Sequence, residues 1–181
     1  MNKKTTDVTL ILQALEFAAI KHKDQRRKDA EASPYINHPI ALAKVLCVEG
    51  GITDTKAICG ALLHDTIEDT ETTAEELQYY FGKAISKIVL EVTDDKNLPK
   101  AERKRLQIEQ ARHASKRAKL VKLADKISNL RDILNSPPAD WPLKRKQEYF
   151  DWAKQVVDQV RDASKKMSKV FDEVYARRPL E

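Results

Sequence analysis

Glycine is scarce in this chain, with four residues among 181, and aromatic side chains make up only 6% of it. No segment alternates apolar and polar residues convincingly enough to predict a strand. Charged residues instead make up 34%, and apolar residues recur nearly everywhere at spacings of three and four. This pattern predicts an all-α fold of about eight to ten helices.

Cysteine is equally scarce. Cys47 and Cys59 are too few and too far apart for a disulfide framework or a CxxC metal site. Both lie in helical patterns rich in apolar residues, so we expect reduced thiols in the core. The chain also lacks a signal-peptide h-region and any apolar run long enough to span a membrane, which predicts a cytoplasmic protein with no membrane partner.

The charge balance is only slightly basic. Lysine and arginine total 33 against 28 aspartates and glutamates, which gives a formal net charge of +5. A small basic excess favours an anionic ligand but does not identify it. The densest basic runs, at 100–105, 116–122 and 144–146, are typical of solvated helical faces. We find none of the reading elements of a nucleic-acid binding protein, so no nucleic-acid partner is expected.

The length fits one ordinary domain, and we predict a single domain over residues 1–181, with C-terminal helices at 142–177 packed on the rest. The first predicted helix covers about residues 6–23 and has an inner face of Val8, Ile11, Leu12, Leu15 and Ala19. Further helices are predicted at about 39–50, 53–64, 73–81, 83–92, 99–111 and 116–134, and a proline-rich break precedes one or two more up to residue 177.

A short acidic segment stands out from this helical background. His64 and Asp65 are followed at once by Glu68 and Asp69. If residues 57–69 form one helix, the three carboxylates lie at i, i+3 and i+4 and share one face beside His64. Like charges crowded in this way are unfavourable unless a positive group lies among them. The segment therefore predicts a bound cation.

His38 upstream and Asp125 downstream can complete a metal site. Two imidazoles and two carboxylates form a mixed nitrogen and oxygen set, which suits a divalent ion such as Mn, Fe, Zn or Mg. Four protein ligands leave open positions on an ion that prefers six, as is typical of catalytic centres. Taken alone, His38 could instead cap a helix next to Pro39, and Asp125 could pair with Lys122 on the surface.

The sequence around these residues extends the pattern in both directions. It reads SPYINHP at 33–39 and KLADKISNLR at 122–131, with further tracts QRRKD at 25–29, GITD at 51–54, TDDK at 93–96 and EYF at 148–150. Together these tracts resemble the HD-domain hydrolases, specifically the hydrolase half of RelA/SpoT-type proteins. The small stand-alone metazoan SpoT homologues are the most similar kind. The resemblance covers about residues 17–157.

The resemblance implies a site with one divalent ion, by preference Mn²⁺. Its metal ligands are His38, His64, Asp65 and Asp125. Glu68 and Asp69 are the implied catalytic pair, which orients a water molecule, takes its proton or returns one to the leaving oxygen. The sequence leaves open which of the two carries the proton. His22 and His113 match no role and are expected to be ordinary, partly exposed histidines.

The resemblance also implies contacts to the substrate. Arg27 and Lys28 lie where the family uses basic residues against the guanine base and the phosphates. Asn129 follows Asp125 by one helical turn and is expected to face the same pocket. Lys100 and Tyr149 are further candidates for substrate binding. Asp132 replaces a threonine common in long family members, so the contacts of the sugar and base are expected to differ.

The implied reaction is hydrolysis of the 3′-pyrophosphate of guanosine tetra- or pentaphosphate to GDP or GTP and pyrophosphate. Two alternatives stay open. The same site could act on another phosphorylated nucleotide, such as the 2′-phosphate of NADPH, or the chain could be a regulatory module that senses nucleotide without turning it over. The regulatory module predicts the loss of a metal ligand or of the Glu68-Asp69 pair, and all of these residues are present. The oligomeric state is left open.

Overall fold

The computed structural model describes residues 6–180, and residues 1–5 and 181 lie outside it. The expectation that the N-terminal segment is not a signal peptide therefore falls in part outside the described residues. The described residues form helices and no strand, which confirms the all-α prediction. The helices are α1 (Asp7–Lys21), α2 (Asn37–Lys44), α3 (Thr55–Leu63), α4 (Thr66–Asp69), α5 (Ala74–Phe81), α6 (Lys83–Val92), α7 (Lys100–Ala111), α8 (Lys116–Asn135), α9 (Leu143–Asp158) and α10 (Lys165–Tyr175). A π-helical turn, Val45–Glu49, follows α2, and a 3-10 turn, Arg161–Ala163, precedes α10. Not one of these helices has the length and apolar character needed to cross a membrane.

Side-chain caps set the starts of several helices. Thr6 and Asp54 begin α1 and α3 by accepting hydrogen bonds from backbone N–H groups two or three residues on. Thr73 caps α5 in the same way, as its capping-box spacing to Glu76 predicts. The Glu76 carboxylate binds Lys21 Nζ at 2.7 Å instead of completing the box. This ion pair ties α5 to α1.

The predicted inner face of α1 is wrong in part. Val8 and Leu12 are 66% and 58% exposed, whereas Ala14 and Ala18 are fully buried. Apolar residues lie around most of this helix, so periodicity alone could not choose the buried stripe. The choice is made by packing, because the small side chains of Ala14 and Ala18 let α1 lie close against α3.

The expectation that both cysteines lie in the core is wrong for Cys47. Cys59 is fully buried, but Cys47 is exposed. Cys47 lies in the π-helical turn, where the Gly50 N–H donates to Val45 O at 2.8 Å. The wider turn changes the phase of the helix, so Cys47 and Val48 face outward.

α3 lies at the centre of the fold, in contact with α1, α2, α6 and α8. Every residue from 57 to 63 is buried. α9 and α10 pack on α8 and bury Phe150 and Phe171 in the same core. This dense packing fixes the end of α3 against α8, and both elements contribute residues to the candidate site. The single-domain organisation over residues 1–181 stays a prediction.

Gly60→Ala is expected to destabilise the fold by about 1–3 kcal/mol, because a close-packed core accommodates extra volume poorly. A Cβ at Gly60 would lie 2.6 Å from Ile88 Cγ2 of α6. Denaturant unfolding measures the change. Ile88→Ala removes the overlapping atom, so the double variant should lose less stability than the sum of the two single changes. A Gly60→Ala protein as stable as the parent would contradict this close contact.

Candidate active site and metal centre

The helical structure is interrupted at two of the candidate ligands, His64 and Asp65. α3 ends at Leu63 and α4 begins at Thr66, because Asp65 between them has φ −100° and ψ 0°. The helix predicted at about 53–64 therefore ends where expected, and the condition of one helix over residues 57–69 is not met. Side chains satisfy the carbonyls at the break: Thr66 Oγ1 donates to Leu63 O at 2.7 Å, and His64 Nδ1 lies 2.8 Å from Ala61 O. The break fixes the imidazole of His64 relative to the end of α3.

The four predicted metal ligands come together from three parts of the chain. His38 lies in the first turn of α2, His64 and Asp65 at the α3–α4 junction, and Asp125 in α8. His64 Nε2 is 2.8 Å from Asp65 Oδ2, and His38 Nε2 is 3.3 Å from Asp125 Oδ1. The imidazole centroids are 5.3 Å apart. His38, His64 and Asp65 each offer a ligand atom within 4.8 Å of the others, whereas Asp125 lies outside this compact group and approaches it through His38.

The surroundings of His64 fit a metal ligand. Its Nδ1 faces a carbonyl oxygen and therefore carries the ring proton, while Nε2 is buried without a hydrogen-bond partner. That nitrogen lies next to an Asp65 oxygen, and two lone pairs this close need a cation between them. Burial lowers the pKa of His64, but the carboxylates of Asp65 and Asp125 outweigh burial and raise it to about 9, so the site favours a positive charge between Nε2 and Asp65, which either a proton or a divalent ion supplies. The donor set therefore fits a divalent ion.

Asp125 is held as a carboxylate by its neighbours on α8. Lys126 Nζ binds Oδ2 at 2.7 Å, and Asn129 Nδ2 donates to Oδ1 at 2.7 Å. Burial alone would raise the pKa of Asp125, but Lys126 and the two imidazoles hold it well below its usual range. The alternative surface pair with Lys122 is therefore wrong, since the cation that reaches Asp125 is Lys126. The same ammonium lies 4.5 Å from the Trp152 ring centroid.

Glu68 has a pKa suited to proton transfer. Its Oε2 accepts a hydrogen bond from the Asp94 N–H at 3.0 Å, and Arg103 Nη1 lies 3.8 Å from Oε1. Burial, followed by the neighbouring carboxylates, raises the pKa of Glu68 to about 7 despite this hydrogen bond. A carboxyl group that titrates near neutral pH can both take and return a proton. This property favours Glu68 over Asp69 as the proton carrier.

Asp69 is held from two sides. Lys96, in the loop between α6 and α7, binds Oδ1, and Gln25 Nε2 donates to Oδ2 at 3.1 Å. Both contacts restrict the directions in which the carboxylate can face. The arrangement suits a group that orients a water molecule.

The predicted substrate residues line three cavities. The main cavity, of about 400 Å³, is lined by Arg27, Lys28, Asn129 and Tyr149 and also contains the four metal ligands, Glu68 and Asp69. The same four substrate residues line a second cavity of about 320 Å³ beside Asp132. Lys100 lies outside both and lines a third cavity, of about 500 Å³, and Tyr149 is common to all three. Of the predicted site residues, Lys100 alone is therefore not brought to the main cavity.

Arg27 already has a protein partner. Its guanidinium binds the Asp132 carboxylate and lies 5.8 Å from the centroid of the Tyr35 ring. Asp132 Oδ2 also lies 3.8 Å from His38 Nδ1. A nucleotide phosphate that binds Arg27 must share or displace Asp132.

Sequence reasoning missed several groups in the site. The Tyr35 hydroxyl donates to Asp65, and Lys122 is 7% exposed and lines the main cavity. Burial, together with the charge of Lys126, lowers the pKa of Lys122 to about 8. His22, expected to be partly exposed, is only 2% exposed, so that expectation is wrong. The available signal was the position of Tyr35 and Lys122 within the tracts that carry the ligands.

Comparisons with known proteins show which proteins this chain is similar to. The family model described as HD domain matches residues 14–153. The guanosine-3′,5′-bis(diphosphate) 3′-pyrophosphohydrolase of Xenopus tropicalis is 55% identical over 171 residues, which are 94% of this chain and 96% of that protein. The Homo sapiens protein of the same name is 51% identical over 175 residues, 97% of this chain and 98% of that protein.

A solved structure has the same fold. It is described as a metazoan ortholog of SpoT that hydrolyzes ppGpp and plays a role in starvation responses. The two chains match with a TM-score of 0.90 and 46% identity, over 95% of this chain and 97% of the other.

Proposed function

The chain belongs to the HD-domain family, and on this premise we propose that it is a metal-dependent hydrolase of the 3′-pyrophosphate of guanosine tetra- and pentaphosphate. The products are GDP or GTP and pyrophosphate. The similar Xenopus and human proteins are named for this activity, and the solved relative is described as hydrolysing ppGpp. The substrate is a guanosine nucleotide; a cytoplasmic location and the absence of a nucleic-acid partner stay predictions.

One observation of the site carries the proposal. A single cavity joins the four candidate metal ligands, a carboxyl group with a pKa of about 7 at Glu68, and two basic side chains, Arg27 and Lys28. A metal centre with an acid/base group suits hydrolysis of a phosphate ester. The basic side chains suit an anionic nucleotide, because arginine and lysine both bind phosphate.

The proposed reaction is an attack of water on the phosphorus next to the ribose. A divalent ion on His38, His64, Asp65 and Asp125 would lower the pKa of the attacking water and polarise a phosphoryl oxygen. Glu68 takes the proton of the water, and Asp69 orients the water through its fixed carboxylate. The water oxygen bonds to phosphorus, the bond from phosphorus to the ribose 3′ oxygen breaks, and the proton on Glu68 passes to that oxygen.

We propose Mn²⁺ as the ion. Two imidazole nitrogens and two carboxylate oxygens suit a borderline divalent ion, and Mn²⁺ accepts both donor types. Protein stripped with a chelator is expected to lose turnover and to regain most of it with Mn²⁺. Restoration with Mg²⁺ alone to a higher rate would contradict this choice.

Identification of the products tests the proposed reaction. Purified protein with Mn²⁺ and ppGpp is expected to release pyrophosphate and GDP. Orthophosphate from NADPH, with ppGpp left intact, would instead support the removal of a 2′-phosphate by the same site. Tight nucleotide binding without any product would support the regulatory module.

Arg27→Ala is expected to raise KM for ppGpp by about 10–100-fold, because a charge-assisted hydrogen bond contributes about 1.5–3 kcal/mol. The value of kcat should change little, because the partner of Arg27 is Asp132 and not one of the two proposed catalytic carboxylates. Steady-state kinetics of the variant gives both constants. Arg177→Ala, at an exposed position outside the cavity, is the matched control. An unchanged KM would remove Arg27 from the substrate contacts.

A further inference from the structure

Gln25 connects a buried histidine to the catalytic carboxylate of Asp69. His22 Nδ1 lies 2.6 Å from Gln25 Oε1, and Gln25 Nε2 donates to Asp69 Oδ2 at 3.1 Å. A carboxylate only accepts hydrogen bonds, so the NH₂ group of the amide must face Asp69. The amide oxygen then faces His22 and requires a proton on Nδ1. The chemistry at both ends therefore fixes the orientation of the amide.

The surroundings of His22 keep this tautomer. The ring is 2% exposed, its centroid lies 4.8 Å from that of Tyr35, and its Nε2 has no hydrogen-bond partner among the described residues. An unprotonated nitrogen is easier to leave unpaired in a buried place than an N–H group. Burial also lowers the pKa of His22, although Gln25 and the nearby carboxylates act in the opposite direction. The ring is therefore neutral at pH 7.

The backbone holds Gln25 in place over Asp69. His22 is the C-cap residue that directly follows α1, and its N–H donates to Ala18 O at 3.0 Å. The Gln25 N–H donates to His22 O at 3.0 Å, and Gln25 O accepts from the Tyr35 N–H at 3.1 Å. Both backbone groups of Gln25 are thus paired, so the side chain extends toward Asp69 from a backbone position that is itself held by hydrogen bonds.

The other partner of Asp69 is a weaker constraint. The Lys96 side chain is 50% exposed, and an exposed ion pair contributes little to stability or geometry. Gln25 is held at both ends and lies in the part-buried region of the contact. Of the two partners, Gln25 is therefore the one that fixes the direction of the carboxylate.

We propose that Gln25, oriented by the Nδ1–H group of His22, is a positioning residue that aims the Asp69 carboxylate at the attacking water. The proposal rests on the proposed function, because Asp69 has a catalytic role only in that reaction. Neither His22 nor Gln25 touches the substrate in this scheme; both act through Asp69.

The Gln25→Ala variant tests the link to Asp69. It is expected to lower kcat by about 10–100-fold, as loss of an outer hydrogen-bond partner typically does, with KM and metal content unchanged. Gln13→Ala, on the exposed face of α1, is the matched control. In an Asp69→Asn background, the Gln25→Ala change should have almost no further effect, because the group it positions is already lost. Additive losses in the double variant would overturn the proposal.

The His22 variants test the tautomer. His22→Asn keeps an N–H donor near the Nδ1 position and should retain most of kcat, whereas His22→Leu should lose as much as Gln25→Ala. Equal rates for the two variants would overturn the proposal. ¹⁵N NMR of His22 in the parent protein adds a readout independent of turnover. A proton on Nδ1 and none on Nε2 supports the proposed hydrogen bonds from His22 through Gln25 to Asp69, and the opposite tautomer overturns the proposal. A parent protein without turnover on any nucleotide would instead count against the proposed function.

Discussion

The His64→Ala variant is expected to bind no divalent ion and to hydrolyse ppGpp only at the background rate. Loss of an outer partner of a metal ligand already costs about 10–100-fold in affinity or activity, and loss of a ligand removes more. Alanine also takes away the group that separates the Asp65 and Asp125 carboxylates, so their repulsion is left uncompensated. The loss of metal binding and the loss of hydrolysis both follow from the removal of one ligand nitrogen.

Metal content and turnover should be measured on the same preparation of His64→Ala. His113→Ala is the matched control, because His113 is exposed and lines no part of the main cavity. Thermal unfolding of both variants separates a local loss from a failure to fold. A folded His64→Ala protein with full metal content and parental turnover would remove His64 from the metal centre.

Glu68→Gln is expected to lower kcat by about 10²–10⁴-fold, the usual contribution of a general acid or base. Glutamine keeps the shape of the side chain and its hydrogen bond to the Asp94 N–H but cannot take a proton. Metal content and KM should change little, because the ligands and the basic wall are intact. Glu71→Gln, at an exposed position on the same segment, is the matched control. Parental turnover in Glu68→Gln would assign the proton to Asp69 or to another group.

The rate of the parent protein should depend on pH through the same group. Burial and neighbouring carboxylates raise the pKa of Glu68 to about 7, and the proposed base must be deprotonated to take a proton. The rate is therefore expected to fall as the pH drops below about 7 and to reach its maximum above that pH. Glu68→Gln should lack this acidic limb over the same range. A parent rate that is constant from pH 6 to 8 would contradict the role of Glu68.

Local sequence signals predicted the helices well. Thr73 with Glu76, Pro99 and the apolar spacing of residues 116–134 placed α5, α7 and α8 within one or two residues of their observed bounds. The failures concern which side of a helix is buried. On α1, a stripe that includes Val8 and Leu12 fits the apolar spacing as well as the stripe that is actually buried. The π-helical turn that exposes Cys47 has no recognisable local sequence pattern.

In the candidate site, too, local sequence identified some features and missed those that depend on long-range contacts. Residue types and family tracts pointed to His38, His64, Asp65 and Asp125, and in the structure these four line one cavity. The partners of the site could not be predicted, because they depend on contacts between distant parts of the chain. Gln25 reaches Asp69 across 44 positions, and Arg27 reaches Asp132 across 105. Sequence spacing carries no information on such contacts.

The position of the broken bond is the central claim, and hydrolysis of ppGpp in ¹⁸O-water measures it most directly. Attack of water on the phosphorus next to the ribose predicts that the released pyrophosphate carries one ¹⁸O atom and that the GDP carries none. Turnover should require the divalent ion and should be absent in His64→Ala under the same conditions. Orthophosphate as the labelled product, or label in the nucleoside, would contradict the account.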